Sequence, residues 1–213
     1  LSPLLSNVML DVLDKELEKR GHRFVRYADD SNIYVASERA GKRVMESITS
    51  YLKRKLKLKV NAEKSAVDRP QKRKFLGFSF TYGERPKRRI APQALSRMKK
   101  KVREITRKRK GRSLEQIAKE LKRYLTGWRG YFGFCETPSI LTKLDGWIRR
   151  RLRRYVWQHW KRGRKRFAEL TQRGLGKDLA AQPAGSHLSN SPALTIALPN
   201  SFFVSLGIPI LAR

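Results

Sequence analysis

The spacing of apolar residues changes at Arg23, and that change dictates most of what the first part of this chain can become. From Ser2 to Arg20, the residues Leu4, Leu5, Val8, Val12, Leu13 and Leu17 recur at helical spacing, and Gly21 stands where a helix ends at C′. From Arg23 to Ser37 the pattern shortens to two β-prone runs, Phe24-Val25-Arg26-Tyr27 and Asn32-Ile33-Tyr34-Val35, on either side of Ala28-Asp29-Asp30-Ser31. A helix that feeds two strands about a tight acidic turn predicts a hairpin with two neighbouring carboxylates at its tip.

The pattern continues with a predicted helix through Val44, Ile48, Tyr51, Leu52 and Leu56. Short strands are predicted near Leu58-Lys59-Val60, at Ala66-Val67 and from Lys74 to Thr81. Helices and strands in this order give an α+β fold class, an antiparallel sheet with helices. Beyond Pro92 the strand signals largely stop. Helices are predicted from Gln93 to about Lys108, from Ser113 to about Phe134 and from Pro138 to about Arg166. Ser113 and Gln116 read as a capping box, and Thr137-Pro138 as N-cap and N1. With short connections, the first at Lys110-Gly111-Arg112, these helices predict an all-α bundle. The tail from Gly174 is rich in Gly, Pro, Ser and Ala, with a short apolar run at Ala193 to Leu198 and aromatics at Phe202-Phe203. It is expected to be an irregular appendage on the bundle or a mobile segment. The predicted division is 1–88 for the sheet domain, 89–170 for the bundle and 171–213 for a C-terminal extension.

Charge then narrows the partners. Fifty Lys and Arg against 18 Asp and Glu give a net charge of +32. A compact body with that excess repels itself unless a polyanion neutralises it, and nucleic acid is the default. A membrane surface is the competing polyanion. Its case is weaker, because the basic segments are interleaved with aromatics, no lipidation signal is present and no apolar run is long enough to cross a bilayer. From Arg69 to Arg112, 18 basic residues face only Glu84 and Glu104. From Trp147 to Arg166 there are ten basic residues and no acid, with Trp147, Tyr155, Trp157, His159 and Trp160 among them. Basic side chains track phosphates and aromatic planes stack on unpaired bases. Trp147, Tyr155 and Trp160 fall at helical spacing and read first as bundle core. The residues expected to contact nucleic acid are Arg88, Arg89, Lys99, Lys100, Arg149, Arg150, Arg153, Arg154, Lys161 and Arg162.

Cys135 is the single cysteine, which excludes an intrachain disulfide and a multi-cysteine zinc site. It fits a reducing compartment, so a cytoplasmic location is expected. His22, His159 and His187 are scattered, and neither a zinc site nor a general-base histidine is expected of them.

The sharpest chemistry sits in Tyr27-Ala28-Asp29-Asp30. Adjacent carboxylates on a strand point to opposite faces, whereas on a tight turn both lean toward one point, as a pair of Mg²⁺ ions requires. Such ions clamp the attacking hydroxyl and the leaving group of an in-line displacement. By itself the tetrapeptide favours ordinary turn chemistry, because Asp satisfies local backbone donors. Context reverses this. The segments Leu1-Ser2-Pro3-Leu4-Leu5-Ser6-Asn7, Tyr27-Ala28-Asp29-Asp30, Leu58-Lys59-Val60-Asn61-Ala62-Glu63-Lys64-Ser65 and Phe75-Leu76-Gly77-Phe78 follow one another in order. Together they resemble the palm of bacterial reverse transcriptases encoded by group II introns. The bundle, with Gly127-Trp128-Arg129-Gly130-Tyr131-Phe132, is similar to their maturase domain, which doubles as the polymerase thumb. The tail, with Ser191-Pro192-Ala193-Leu194 and Leu198-Pro199-Asn200, is similar to bacterial members without an endonuclease.

The resemblance implies an RNA-directed DNA polymerase and intron maturase, with intron RNA, an RNA template with a DNA primer and deoxynucleoside triphosphates as partners, and Mg²⁺ as cofactor. It implies that Asp29 and Asp30 are metal ligands, with Tyr27 and Ala28 beside the primer terminus. Lys64 would approach the triphosphate, although a solvated lysine is an equal reading. Phe75, Leu76, Gly77 and Phe78 would grip the primer strand. In this family a further metal-binding Asp, the fingers and a Pro-Gln-Gly precede the first of these segments. The chain starts at Leu1, inside that segment and without Met, so it is expected to be a cut or processed piece, inactive by itself as a polymerase. The alternatives are a non-catalytic RNA-binding splicing cofactor and an inactive truncated remnant.

Overall fold

The computed structural model describes residues 2–107, 112–186 and 192–212. They divide into two compact units, Leu1–Pro86 and Lys87–Arg213.

The first unit contains α1 (Ser2–Lys19), β1 (Arg23–Tyr27), β2 (Asp30–Tyr34), α2 (Glu38–Tyr51) and the short strand β3 (Phe78–Phe80). Gly21 ends α1 as its position predicts. Its φ is +72°, its N–H donates to Glu18 O at 2.8 Å, and the His22 N–H donates to Leu17 O at 3.0 Å, the paired bonds of a Schellman cap. The chain then enters β1, which pairs antiparallel with β2 in a register that sets Phe24 opposite Ile33 and Tyr27 opposite Asp30. Leu10, Leu13 and Leu17 of α1 and Ile48 of α2 form a buried core, packed against Phe24, Ile33, Val44, Tyr51 and Leu58. Ser37 caps α2 by accepting from the Ala40 N–H at 3.2 Å. A π-turn over Leu52–Leu56 continues α2 and stops at Lys57, whose φ of +56° is left-handed.

Two expected strands are not formed. Leu58–Val60 and Ala66–Val67 lie in irregular chain, and their apolar side chains fill space rather than join a ladder. Leu58 packs into the core, and Val67 sits where a Cβ on Gly41 would meet its Cγ1 at 2.4 Å. The apolar residues that suggested strands were a packing signal.

The second unit holds the strand β4 (Arg88–Ile90) and seven helices among the described residues. These are α3 (Pro92–Ile105), α4 (Leu114–Phe132), α5 (Ser139–His159), α6 (Gly163–Gln172), α7 (Lys177–Ala184), α8 (Pro192–Ala197) and α9 (Asn200–Ser205). The capping box before α4 is present in both directions, with Ser113 Oγ accepting from the Gln116 N–H and Gln116 Oε1 accepting from the Ser113 N–H. Thr137-Pro138 behaves differently from expectation. Pro138 is itself the N-cap, with no side-chain cap, and the helix begins at Ser139. Met98 and Val102 of α3, Ile117, Leu121 and Leu125 of α4, and Leu144, Ile148 and Leu152 of α5 are all buried, which makes α+β with a following helical domain the observed class.

The long helix predicted to run to Arg166 is two helices. It stops at Trp160 and restarts at Gly163, where a Cβ would come within 3.1 Å of Ala184 O at the end of α7. Breaking the helix brings α6 against α7, a gain in burial that no local periodicity encodes. The tail is likewise helical, with Ala180, Leu194, Leu198, Phe203, Ile208 and Leu211 buried. It ends on α5, where Asp145 accepts from the backbone N–H groups of Leu211 and Ala212 at 3.0–3.1 Å. The expected connection at Lys110-Gly111, together with Leu1, His187 and Ser191, lies outside the described residues.

Candidate active site and nucleic-acid interface

At the hairpin tip Asp29 lies on the two-residue turn with Ala28, and Asp30 is the first residue of β2, opposite Tyr27; both are exposed. The turn is tight because Ala28 adopts a left-handed conformation, with φ +52°, that Ala ordinarily avoids at a cost of about 1–2 kcal/mol. Arg26 holds it there. Its Nη1 donates to Ala28 O at 2.9 Å and to Asn7 Oδ1 of α1 at 2.9 Å. Its Nε and Nη2 donate to the two carboxylate oxygens of Asp14, at 2.8 and 2.5 Å. One guanidinium thus ties α1, the strand and the turn together, and its hydrogen bond to Asp14, ahead of the burial that opposes it, raises the Arg26 pKa further. Sequence reasoning passed over Arg26, Asp14 and Asn7. Their signal was available, because strand alternation puts Arg26 on the inward side with Phe24, and Asp14 lies beside Leu10, Leu13 and Leu17 on α1.

The remaining palm-like residues lie elsewhere in the same unit. Tyr27 is exposed beside the carboxylates. Lys64 is exposed in a turn where its N–H donates to Asn61 O and Oδ1 and its carbonyl accepts from Arg73 Nη2 at 2.6 Å. No hydrogen bond or ion pair joins Lys64 to Asp29 or Asp30 among the described residues. Phe75 and Phe78 exchange two backbone hydrogen bonds of 2.9 Å across Leu76-Gly77. Both turn residues are left-handed, Leu76 at φ +51° and Gly77 at +79°. This is the backbone of a primed hairpin turn, with Leu where Asn or Gly is usual.

Neither Asp29 nor Asp30 carries a side-chain hydrogen bond or ion pair among the described residues, so both are uncommitted hard-oxygen donors, one on the turn and one at the start of β2. The described residues assemble no cluster of three or more His, Cys, Asp or Glu. Asp29 and Asp30 have the hard-oxygen chemistry that a divalent ion accepts, but by themselves they make no such cluster.

In the second unit the basic residues separate into two sets. Arg150, Arg154, Lys161 and Arg162 are exposed, as is Lys100, and Lys99 is half-buried. Arg149 and Arg153 are buried, at 3% and 8% exposure, which removes them from the surface the sequence assigned them to. Arg153 donates to Leu198 O at 2.9 Å and to Asn200 Oδ1 at 3.0 Å, and so holds the tail against α5. Burial lowers the pKa of both arginines. Arg88 and Arg89 are half-buried, and Arg88 lies over Phe134 and donates to its carbonyl. Tyr155 and Trp160 are core residues, as their spacing implies. Trp147 is only half-buried, with Lys99, Arg103 and Arg151 at 5.5–5.9 Å from its ring.

The first unit thus carries two exposed carboxylates at a braced hairpin, and the second exposes arginine and lysine along its helices. Residues 1–80 match the family of reverse transcriptases (RNA-dependent DNA polymerases), and residues 95–174 match the group II intron maturase-specific domain. The chain is a reverse transcriptase and intron maturase segment, a partial palm followed by a maturase domain, and by family it is an RNA-directed DNA polymerase. Among curated proteins, none matches it. Domains of these two kinds bind RNA and use nucleotides, and reverse transcriptases use Mg²⁺. Among the described residues no helix is long and apolar enough to cross a membrane.

Proposed function

We propose that the second unit binds intron RNA through Arg150, Arg154, Lys161, Arg162 and Lys100, and that Asp29 and Asp30 are metal-ligating carboxylates of RNA-templated DNA synthesis. The observation that carries the RNA reading is the run from Trp147 to Arg166, which holds ten basic residues and no acid. Arg149, Arg153 and Arg166 of that run are buried, and the six exposed residues, Arg150, Arg154, Lys161, Arg162, Arg164 and Lys165, carry one sign, where an ordinary solvated surface mixes them; a polyanion offsets their repulsion.

In the polymerase reading Arg26 keeps the turn closed, Tyr27 stands beside the primer end, and the Phe75 to Phe78 turn supports the primer strand. Lys64 faces solvent, free to meet the phosphates of a deoxynucleoside triphosphate. Mg²⁺, when bound at Asp29 and Asp30, supplies charge neutralisation at the reacting phosphate. The template is RNA, the primer DNA, and the compartment the cytoplasm.

Filter binding of a structured intron RNA across a salt series tests the first half. Affinity should fall steeply with salt, and affinity indifferent to salt would overturn it. Primer extension tests the second. The 213-residue chain with Mg²⁺ should not extend a primer, because its described residues bring two carboxylates to the hairpin and no third. Extension that Asp29→Asn abolishes would show that these residues suffice.

A further inference from the structure

One cleft in the second unit has features that general basicity does not explain. Thr106, Arg107, Arg151, Arg154, Tyr155 and Gln158 line it, just past the C-terminal end of α3 and along the C-terminal half of α5. Three of these six are arginines and none is an acid. Thr106 is buried at 4% exposure, and its hydroxyl donates to Val102 O at 2.7 Å while accepting from Arg151 Nε at 3.0 Å. The Arg151 guanidinium is therefore held at its inner nitrogen. Its Nη1 and Nη2 make no hydrogen bond among the described residues. Arg103, Arg107, Arg151 and Arg154 form no ion pair among the described residues either. Burial first, and then the like charges of Arg154 and Arg103, push the Arg151 pKa below its ordinary value.

Like charges gathered by a fold with no counter-charge raise its free energy, and a bound anion lowers it again. A guanidinium fixed at Nε with its outer edge free offers two parallel donors, the geometry that phosphate oxygens accept. Arg154, exposed one turn along from Arg150 and three residues from Arg151, supplies a second cation on the same wall. Gln158 adds a neutral donor and acceptor.

We propose that this cleft seats a single phosphate group, with Arg151 and Arg154 as its ligands and Thr106 as the residue that positions Arg151. The phosphate is a phosphodiester of RNA or a free anion such as pyrophosphate. The first source rests on the RNA-binding reading above, and the second does not.

The test uses the whole chain with two probes, a labelled RNA hairpin and sodium pyrophosphate. Arg151→Gln and Arg154→Gln should each weaken hairpin binding about ten-fold and lower the salt slope by about one. The exposed controls Lys119→Gln and Lys143→Gln should each cost no more than about three-fold. Thr106→Val should weaken binding several-fold with the salt slope unchanged, because it removes no charge, and Thr106→Ser should restore wild-type binding. Pyrophosphate is followed by tryptophan fluorescence. Trp128, Trp157 and Trp160 are buried, so the signal lost in Trp147→Phe reports on the cleft beside Arg151. Circular dichroism confirms that each variant is folded.

If the Arg151 and Arg154 variants lose no more than the Lys119 and Lys143 controls and pyrophosphate leaves Trp147 fluorescence unchanged, the seat is refuted and RNA binding stands as diffuse attraction. If the chain does not bind the hairpin, yet pyrophosphate changes Trp147 fluorescence and Arg154→Gln abolishes that change, the seat holds for a free anion and the RNA reading fails. If neither probe binds, both fall.

Discussion

Arg26 grips both carboxylate oxygens of Asp14, at 2.8 and 2.5 Å, and its Nη1 donates to Ala28 O and Asn7 Oδ1. The pair is partly buried, so its geometry is sheltered from solvent, and it joins the first helix to the turn that carries Asp29 and Asp30.

We predict that Arg26→Ala destabilises the first unit by about 1–3 kcal/mol, since it leaves a partly buried carboxylate unpaired and releases a left-handed turn. Arg26→Lys keeps the charge but loses the fork, and should recover less than half of that. Urea unfolding measures both. Equal stability of the lysine variant and wild type would show that charge, and not the fork, braces the turn.

Leu76 offers the opposite case. Its φ of +51° is unfavourable for a residue with a γ-branched side chain and ordinary for Asn or Gly. Leu76→Asn should stabilise the first unit by about 0.5–1 kcal/mol, read as a higher urea midpoint with an unchanged slope. A lower midpoint would mean that the Leu76 side chain contributes more than its backbone costs.

The two sets of arginines on α5 should respond differently. Arg153→Leu leaves Leu198 O and Asn200 Oδ1 without their donor and should cost about 1–3 kcal/mol of stability. Arg150→Ala, at an exposed position, should stay within about 0.5 kcal/mol of wild type but weaken RNA binding and lower its salt slope by about one. Thermal melts and a salt series on both variants decide the matter. A normal melting temperature with a reduced salt slope for the Arg153 variant would return that residue to the binding surface.

Alkaline pH supplies a further prediction. Burial raises the pKa values of Tyr124 and Tyr155 above the ordinary value of 10.0. A group whose folded pKa is raised contributes stability that is present below its unfolded value and is lost as pH climbs through the folded one. The second unit should therefore weaken above about pH 10 and not below it. Tyr155→Phe should cost about 1 kcal/mol at neutral pH, through loss of the O–H donated to Arg112 O, while making the alkaline decline shallower. An alkaline decline unchanged in that variant would exclude Tyr155 as a contributor.

Much of this was legible in the chain. Gly21 as a helix stop, the hairpin about Asp29-Asp30 and the Ser113 capping box depend on a few neighbouring residues, so local sequence carries them in full. The two adjacent carboxylates at the hairpin were legible for the same reason, although the register puts only Asp29 on the turn and makes Asp30 the first residue of β2. The strands expected at Leu58–Val60 and Ala66–Val67 failed because apolar runs report burial, and burial was satisfied by packing on Leu17's core and on Gly41.

Other features depend on residues far apart in sequence. Arg149, Arg150, Arg153 and Arg154 are chemically identical and adjacent, and composition assigns all four to one surface. Only tertiary structure separates them, because the tail returns to α5 with Leu198 and Asn200 and covers one side of the helix. The same holds for Arg26, whose partners lie 12 and 19 residues away, and for Arg151, anchored 45 residues upstream at Thr106. Sequence alone determined that this protein is a reverse transcriptase and maturase segment with a large positive charge. The fold decided which cations are committed to internal hydrogen bonds and which are free, because a guanidinium's role is set by whether a carbonyl or water meets it.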